Sequence, residues 1–198
     1  MKYAELADKK TIQDTIDALK RNGFDAYFVE NREVAKAKIM EMIPENTEVM
    51  TMTSTTLDET GIKRDLEDSD KIDFVRKRFD KLSDKQKTQI GAAPEYTVGS
   101  FHAVTKNGEI MIASATGSQL PAYAYGSKKV IFVAGTHKIV KDIDEAKRRI
   151  HDYVFPLEDA RAMKAYGSHS GINKILILNK EVQKNRITII FVNEILGF

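Results

Sequence analysis

The stretch TIQDTIDALKRNGFDAYFVENREVAKAKIMEMIPENTEVMTM, residues 11–52, alternates between helical and extended patterns of apolar residues. Ile12, Ile16 and Leu19 recur at helical spacing, and Gly23 is a helix-ending residue. The stretch predicts two helices and two strands, in the order Thr11–Asn22, Asp25–Glu30, Arg32–Met42 and Thr47–Met52. Strands that are separated by helices of crossover length favour a parallel sheet covered by helices.

Apolar runs later in the chain predict further strands. They lie at Lys129–Ala134, Lys174–Leu178 and Ile187–Val192. The first run, KVIFVA, is almost continuously apolar, as is typical of the centre of a parallel sheet. Asn107-Gly108 stands between the runs Ser100–Val104 and Glu109–Ser114, which predicts a β-hairpin. We therefore expect an α/β fold in a single domain over residues 1–198, with a mainly parallel sheet covered by helices and an inserted β-hairpin.

A charge-rich segment from Leu57 to Pro94 interrupts the strands and has a helical pattern without a strong strand. Apolar residues such as Phe74, Val75 and Phe79 provide anchors for packing. The segment predicts two or three helices at the sheet edge, and a lid over a binding site is the alternative.

Composition excludes several classes of function. The 198 residues are 42% hydrophobic and 30% charged, as in a soluble globular protein, and 31 basic against 29 acidic residues leave a net charge of +2. This balance gives no electrostatic case for binding nucleic acid or an anionic membrane. Without cysteine, the chain cannot form disulfides or hold an iron–sulfur cluster through thiolates. Since it also has neither an apolar run of membrane length nor a signal-peptide pattern, we expect a cytoplasmic protein.

Hydroxyl residues cluster where the strand Thr47–Met52 ends. Thr53, Ser54 and Thr55 follow that strand directly. Ligands of open α/β sheets bind beyond the carboxyl ends of strands, so these hydroxyls are candidates for binding an anion. Helix capping by Ser54 or Thr55 is the structural alternative.

A second polar cluster follows the hairpin. Its candidate ligand-binding residues are Ser114, Thr116, Gly117, Ser118 and Gln119, and the chain then enters a helix through Leu120-Pro121. A loop that leads from a strand into a helix N-terminus collects free N–H groups, which favours an anionic ligand. The loop contains more hydroxyl side chains than a turn requires, and we therefore predict a binding role for it.

A third loop, residues 166–174, contains Ser168, Ser170 and Lys174 as candidate ligand-binding residues. Small residues in such a loop form cradles for anions or sugar hydroxyls. His169 is a candidate acid–base group because imidazole titrates near neutral pH, although an exposed histidine without a role is the alternative.

The other candidates for catalysis are His137 and Glu158. His137 follows a predicted strand together with Thr136, a further candidate for ligand contact, and Glu158 lies near the start of a helix. Glu158 or Asp159, which follow Pro156, would supply the carboxylate that an isomerase requires, and a helix N-cap role explains both equally well. No metal site is predicted, because neither HExxH nor a close histidine pair is present, and no P-loop or GxSxG motif occurs.

Three segments in consistent order, GSFHAVTKNGEIMIASATGSQLPAYAYG, VIFVAGTHKIVKDIDEAKRRI and PLEDARAMKAYGSHSGINKILI, resemble the LUD-domain family, which includes lactate-utilisation protein C. The segments NGFDAYFVENREVAKAKI and TSTTL are similar to that family too. The resemblance implies a fold like that of the NagB/RpiA/CoA-transferase group. It also implies a link to bacterial L-lactate oxidation beside iron–sulfur partner proteins.

The resemblance weakens two enzyme hypotheses. Class I CoA-transferases of similar fold carry a nucleophilic glutamate in a Ser-Glu-Asn-Gly turn, whereas the comparable turn here has Lys106 at that position. Formyltetrahydrofolate cyclo-ligases carry a glycine-rich nucleotide loop ending in Gly-Tyr-Tyr-Asp, which this chain does not contain.

The sequence thus predicts a LUD-domain protein that binds a small anionic metabolite or a nucleotide-like ligand and takes part in L-lactate or related organic-acid utilisation. Two alternatives remain open: an independent enzyme of the isomerase or acyl-CoA-transfer type, and a regulatory module without catalysis. The sequence does not identify a cofactor, and it leaves open whether the chain is catalytic or forms a homo-oligomer.

Overall fold

The computed structural model describes residues 2–198. Its first elements are α1 (Lys9–Arg21), β1 (Asp25–Val29), α2 (Arg32–Met42) and β2 (Glu48–Thr51). Both helices begin at a side-chain cap: Asp8 accepts a hydrogen bond from the Thr11 amide, and Asn31 accepts one from the Val34 amide. The alternation predicted from residues 11–52 is therefore present.

The charge-rich segment contains three α-helices, one 3-10 helix and one short strand. Its elements are α3 (Thr55–Glu59), α4 (Ile62–Asp68), β3 (Asp73–Phe74), a 3-10 helix (Val75–Lys81) and α5 (Asp84–Ala92). The strand β3 pairs in parallel with β2 through only two residue pairs, which is too short to produce a sequence pattern.

The second half of the chain supplies seven strands and two helices. They are β4 (Tyr96–Gly99), β5 (Ala103–Thr105), β6 (Ile110–Ser114), β7 (Lys129–Gly135), β8 (Ile139–Val140), α6 (Ile143–Arg149), α7 (Phe155–Tyr166), β9 (Lys174–Leu178) and β10 (Ile187–Val192). Single π-helical turns cover Ala122–Gly126 and Ile150–Val154, and a 3-10 turn covers Thr136–Lys138.

Six strands form a parallel sheet in the order β1-β10-β7-β4-β2-β3. The strands β7 and β10 lie inside this sheet, and all six residues of β10 are buried. Buried apolar strands of this kind require helices on both faces of the sheet. The expected α/β class with a mainly parallel sheet is confirmed.

The predicted hairpin belongs to a second, four-stranded sheet in the order β8-β5-β6-β9. Its strands β5 and β6 pair antiparallel, β8 joins β5 in parallel, and β9 joins β6 antiparallel. The hairpin is thus extended on both sides, because residues about 30 and 60 positions further along the chain add strands to it.

The two sheets share a core. Phe101, which lies between β4 and β5, packs edge-on against Phe132 and Phe191 of the parallel sheet, with ring centroids 5.7 and 6.3 Å apart. Ile110 and Ile112 of the hairpin belong to the same apolar cluster. This packing fixes the second sheet relative to the first.

The hairpin turn lies against the end of α1. Gly108 has φ +82°, and the Asn22 side-chain amide donates to the Asn107 carbonyl oxygen at 2.8 Å. The turn therefore serves as a docking point for α1. Within residues 2–198, no helix is long and apolar enough to cross a membrane.

Candidate functional site

A cleft of about 900 Å³ opens beyond the carboxyl ends of β2 and β4, on the side where the second sheet approaches. Residues that directly follow three strands line it, in the ranges 52–56, 100–102 and 115–119. Open parallel sheets bind ligands at this edge. The 3-10 helix and α5 of the charge-rich segment and the helix α7 form further walls.

The hydroxyl cluster after β2 has both structural and exposed members. Ser54 is the N-cap of α3, since its side chain accepts from the Leu57 amide at 3.4 Å. Thr56 is buried and donates to the Leu196 carbonyl oxygen at 3.1 Å. Thr53 and Thr55 line the cleft with exposed surface and are the members best placed for ligand contact.

The loop after β6 uses its polar side chains largely to hold its own conformation. The Ser114 hydroxyl accepts from the Gly117 amide at 2.8 Å and donates to the Gln119 side-chain oxygen at 3.0 Å. Thr116 pairs with Ser118 at 3.2 Å. All five predicted residues line the cleft, but the element that follows is a short π-helical turn. These internal bonds give the hydroxyls a structural role, and the binding role of the loop stays a prediction.

The third loop brings a histidine and a carboxylate together. His169 Nδ1 lies 2.9 Å from the nearer carboxylate oxygen of Asp159, whose other oxygen accepts from the Ser170 amide at 2.8 Å. These two hydrogen bonds, that with His169 first, lower the pKa of Asp159 below its ordinary value. His169, Ser168 and Ser170 line the cleft, so this pair lies at its wall.

Glu158 lines the cleft but is engaged in an ion pair. Its two carboxylate oxygens accept from Nε and Nη2 of Arg161, both at 2.7 Å. A carboxylate held in this bidentate way is a weak candidate for a general base, because abstraction of a proton would break the pair.

Lys138 is a cleft residue that the sequence analysis did not identify. Its buried ammonium donates to the Thr56 hydroxyl at 3.0 Å, to the Ser100 hydroxyl at 3.2 Å and to the Phe101 carbonyl oxygen at 3.2 Å. Burial, and then the charge of Arg149, lower the pKa of Lys138 below its ordinary value. Its position directly after His137, in the second resembling segment, was the available signal.

Arg76 is a second cation of the cleft that was missed. It belongs to the 3-10 helix, and its Nε donates to the Thr51 carbonyl oxygen at the end of β2 at 2.7 Å. Desolvation lowers its pKa. The residue lies in the charge-rich segment, which contains eight other basic residues in the range 63–87. The sequence alone therefore gave no reason to distinguish Arg76 from them.

His102 lines the cleft and is locked in one orientation. Its Nδ1 accepts a hydrogen bond from the backbone amide of Ala113 in β6 at 3.1 Å. Burial, followed by the charges of Lys138 and Arg149, lowers the pKa of His102 to about 3. The ring is therefore neutral at physiological pH.

Three predicted site residues do not line the cleft. Thr136 and His137 are buried at the end of β7, and burial lowers the pKa of His137 to about 3. Lys174 donates to the Thr116 carbonyl oxygen and supports the loop from outside. His137 thus lies in the interior, because the strand end curves into the 3-10 turn that places the next residue, Lys138, at the cleft.

Aromatic side chains complete the lining, notably Phe79, Tyr123, Tyr166 and Phe198. Tyr123 is buried, and desolvation raises its pKa. Within residues 2–198, no group of three or more histidine, aspartate or glutamate side chains could hold a metal ion.

The fold and the cleft define an α/β protein with a ligand-sized cavity at the carboxyl edge of a parallel sheet. The LUD domain family matches residues 12–192, and the chain therefore belongs to that family. A crystal structure of a DUF162 family protein from Deinococcus radiodurans has the same fold, with a TM-score of 0.57 at 13% identity over 95% of this chain and 99% of that chain.

A more distant likeness is to eIF2B beta from Chaetomium thermophilum, with a TM-score of 0.40 at 12% identity over 69% of this chain and 48% of that chain. A comparison with curated proteins found no match. The family and the fold follow from these comparisons, whereas the function must be argued from the cleft.

Proposed function

We propose that this LUD-domain protein binds a small metabolite with a carboxylate or phosphate group, and that the anionic group lies near Arg76 and Lys138. Both cations line the cleft and are wholly or partly buried. They hold opposite ends of one segment, since Arg76 contacts Thr51 and Lys138 contacts Thr56.

The observation that carries this proposal is the lack of a compensating carboxylate. Among the described residues, no aspartate or glutamate forms an ion pair within 4.0 Å of Arg76 or Lys138. A buried charge is costly unless it is paired. An anionic ligand would supply the missing charge.

The size of the cleft bears on the ligand. A volume of about 900 Å³ lies near the upper end of the range for small-molecule sites. The aromatic lining offers surfaces for an apolar or ring-containing part. A carboxylate or phosphate attached to a larger group, such as a nucleotide, would use both kinds of surface.

The biological role is proposed from the family. The resemblance to lactate-utilisation protein C supports a part in L-lactate or related organic-acid utilisation in the bacterial cytoplasm. Because the chain contains no cysteine, an iron–sulfur cluster would have to come from a partner protein.

Calorimetric titration with inorganic phosphate, L-lactate and AMP tests the proposal. We expect at least one probe to bind to the wild-type protein, and R76M and K138M to weaken that binding by about tenfold or more, since each removes a positive charge near the anionic group. K87M is the matched control. Lys87 also lines the cleft, but Asp84 lies 3.7 Å from its ammonium.

The comparison between variants decides the outcome. Equal losses in all three would indicate a general electrostatic effect and would contradict a specific site. Binding that is unchanged in R76M and K138M would place the ligand elsewhere.

Catalysis is a second candidate function, and the His169–Asp159 pair favours it. A carboxylate that holds Nδ1 of a histidine orients the ring and leaves Nε2 for proton transfer. An isomerase or an acyl-transfer enzyme would lose turnover in H169Q and D159N alike. A module without catalysis would keep its ligand affinity in both variants and show no turnover in the wild type.

A further inference from the structure

The segment Ser100–His102 connects the two sheets and faces the cleft. The Phe101 side chain is buried against the aromatic rings of the parallel sheet, whereas Ser100 and His102, on either side of it, both line the cleft. The segment is therefore anchored by its central residue and presents two polar side chains to a ligand.

The hydrogen bond from the Ala113 amide determines the tautomer of His102. A backbone N–H can only donate, so Nδ1 must be the acceptor, and it carries no proton. In a neutral imidazole the proton then resides on Nε2. Since Nδ1 is directed at the backbone of β6, the polar atom with which His102 can meet a ligand is the Nε2–H donor.

The groups around His102 make this state stable. Lys138 donates to Ser100 and to the Phe101 carbonyl oxygen next to His102, and Arg149 of α6 donates to the His102 carbonyl oxygen. Two neighbouring positive charges oppose a third on the imidazole. Their effect and that of burial agree with the hydrogen bond in keeping the ring neutral.

In the free chain the Ser100 hydroxyl donates to the Phe101 carbonyl oxygen at the long distance of 3.4 Å. We propose that His102 and Ser100 form an oxygen-binding subsite, in which the Nε2–H of His102 and the hydroxyl of Ser100, turned away from Phe101, donate to a carbonyl, carboxylate or phosphoryl oxygen of the ligand. The Lys138 ammonium, whose three donors contact protein oxygens, stabilises the negative charge on that oxygen without contacting it directly. This inference rests on the proposed function and deepens it, because it names the ligand oxygen as the atom that Ser100 and His102 bind.

NMR of the full chain with ¹⁵N-labelled histidine tests the subsite. In the free protein we expect the His102 signals, identified by their loss in H102Q, to show the Nε2–H tautomer and no titration between pH 5 and pH 8; His137 should not titrate in this range either. Addition of inorganic phosphate or L-lactate should shift this Nε2 signal. His151 is exposed and outside the cleft, so its shift changes are the reference.

Affinity measurements on variants separate a donor from a structural residue. An alanine at position 102 removes the donor, and H102A should weaken phosphate binding by about tenfold, whereas the amide N–H of H102Q should restore most of the affinity. S100A should weaken binding by a similar factor. H151Q should bind as the wild type does.

Each outcome has a distinct meaning. An Nδ1–H tautomer, or a His102 signal that titrates near pH 6.5, would overturn the subsite. So would phosphate or lactate binding, measured by calorimetry, that leaves the His102 signal unmoved, while the proposed function would stand. If no probe binds and R76M and K138M behave as the wild type does, both proposals fail.

Discussion

Lys138 and Thr56 are joined by a buried hydrogen bond of 3.0 Å, and the Thr56 hydroxyl in turn donates to the Leu196 carbonyl oxygen at 3.1 Å. The chain of donors connects the end of β7 to the start of α3 and to the C-terminal segment. Lys138 therefore has a structural role at the same atom that provides the cleft with positive charge.

The burial of Lys138 should make the stability of the protein depend on pH. Its pKa is lower in the folded chain than in the unfolded chain, where it is near 10.5, because burial disfavours the ammonium form. Unfolding therefore takes up a proton between these two pKa values, and raising the pH favours the folded state. We expect the wild-type protein to gain stability relative to K138M by up to about 1.4 kcal/mol per pH unit in this range.

Urea denaturation of both proteins between pH 7 and pH 10 measures this effect. Titrations of other groups cancel in the difference between the two unfolding free energies. A difference that stays constant over the range would mean that the pKa of Lys138 is not lowered by folding.

Two histidines, His137 in the interior and the half-buried His102 at the cleft, should make the protein sensitive to acid. The pKa values of His102 and His137 are about 3 in the folded chain, against 6.5 in the unfolded chain. Unfolding takes up a proton at each residue between these values, so the stability that is present above pH 6.5 is lost as the pH falls. At pH 5 each histidine should reduce the free energy of unfolding by about 2 kcal/mol.

A variant of His137 measures the share of this loss that belongs to that residue. H137N removes one titrating group. Unfolding of the variant between pH 4 and pH 6 should therefore take up about one proton fewer, and the slope of the unfolding free energy against pH should be smaller by the corresponding amount. Equal slopes in H137N and the wild type would show that His137 is accessible to protons in the folded state.

The fold was predictable because its signals are local. The helical spacing of Ile12, Ile16 and Leu19 and the apolar run at residues 129–134 depend on neighbouring residues only. The short strands β3 and β8 were missed, since two residues carry no period and pair only through tertiary contacts.

The site was predictable only in part. Loops rich in small polar residues indicated the cleft walls, but the same composition also serves internal hydrogen bonds, as Ser114 shows. Arg76, His102 and Lys138 gain their significance from burial and from the absence of nearby carboxylates among the described residues. Those properties arise only when distant segments meet.

The loop after β6 allows a test of whether the Ser114 hydroxyl stabilises the folded protein. S114A removes the acceptor of the Gly117 amide and a donor to Gln119, and we expect a loss of about 1–2 kcal/mol in the free energy of unfolding. T116A, at an exposed hydroxyl in the same loop, should change it by less than about 0.5 kcal/mol. Thermal and urea denaturation measure both values, and a larger loss in T116A would contradict the structural role of Ser114.

The docking of the hairpin on α1 predicts an unusually costly glycine substitution. Gly108 has φ +82°, and a Cβ atom there would lie 2.8 Å from the Leu19 amide nitrogen and 2.9 Å from the Asn22 side-chain nitrogen. Gly167 is the matched control, because its φ is +69° and nothing lies within 4 Å of such an atom.

Both alanine variants, G108A and G167A, carry the cost of a left-handed backbone, which is about 1–2 kcal/mol. G108A must in addition move α1 away from the turn, and we expect it to lose at least about 1 kcal/mol more than G167A. Urea denaturation of the two variants gives the comparison. Equal losses in the free energy of unfolding would show that α1 can shift away from the turn without destabilising the protein. The hairpin would then not be held against the first helix.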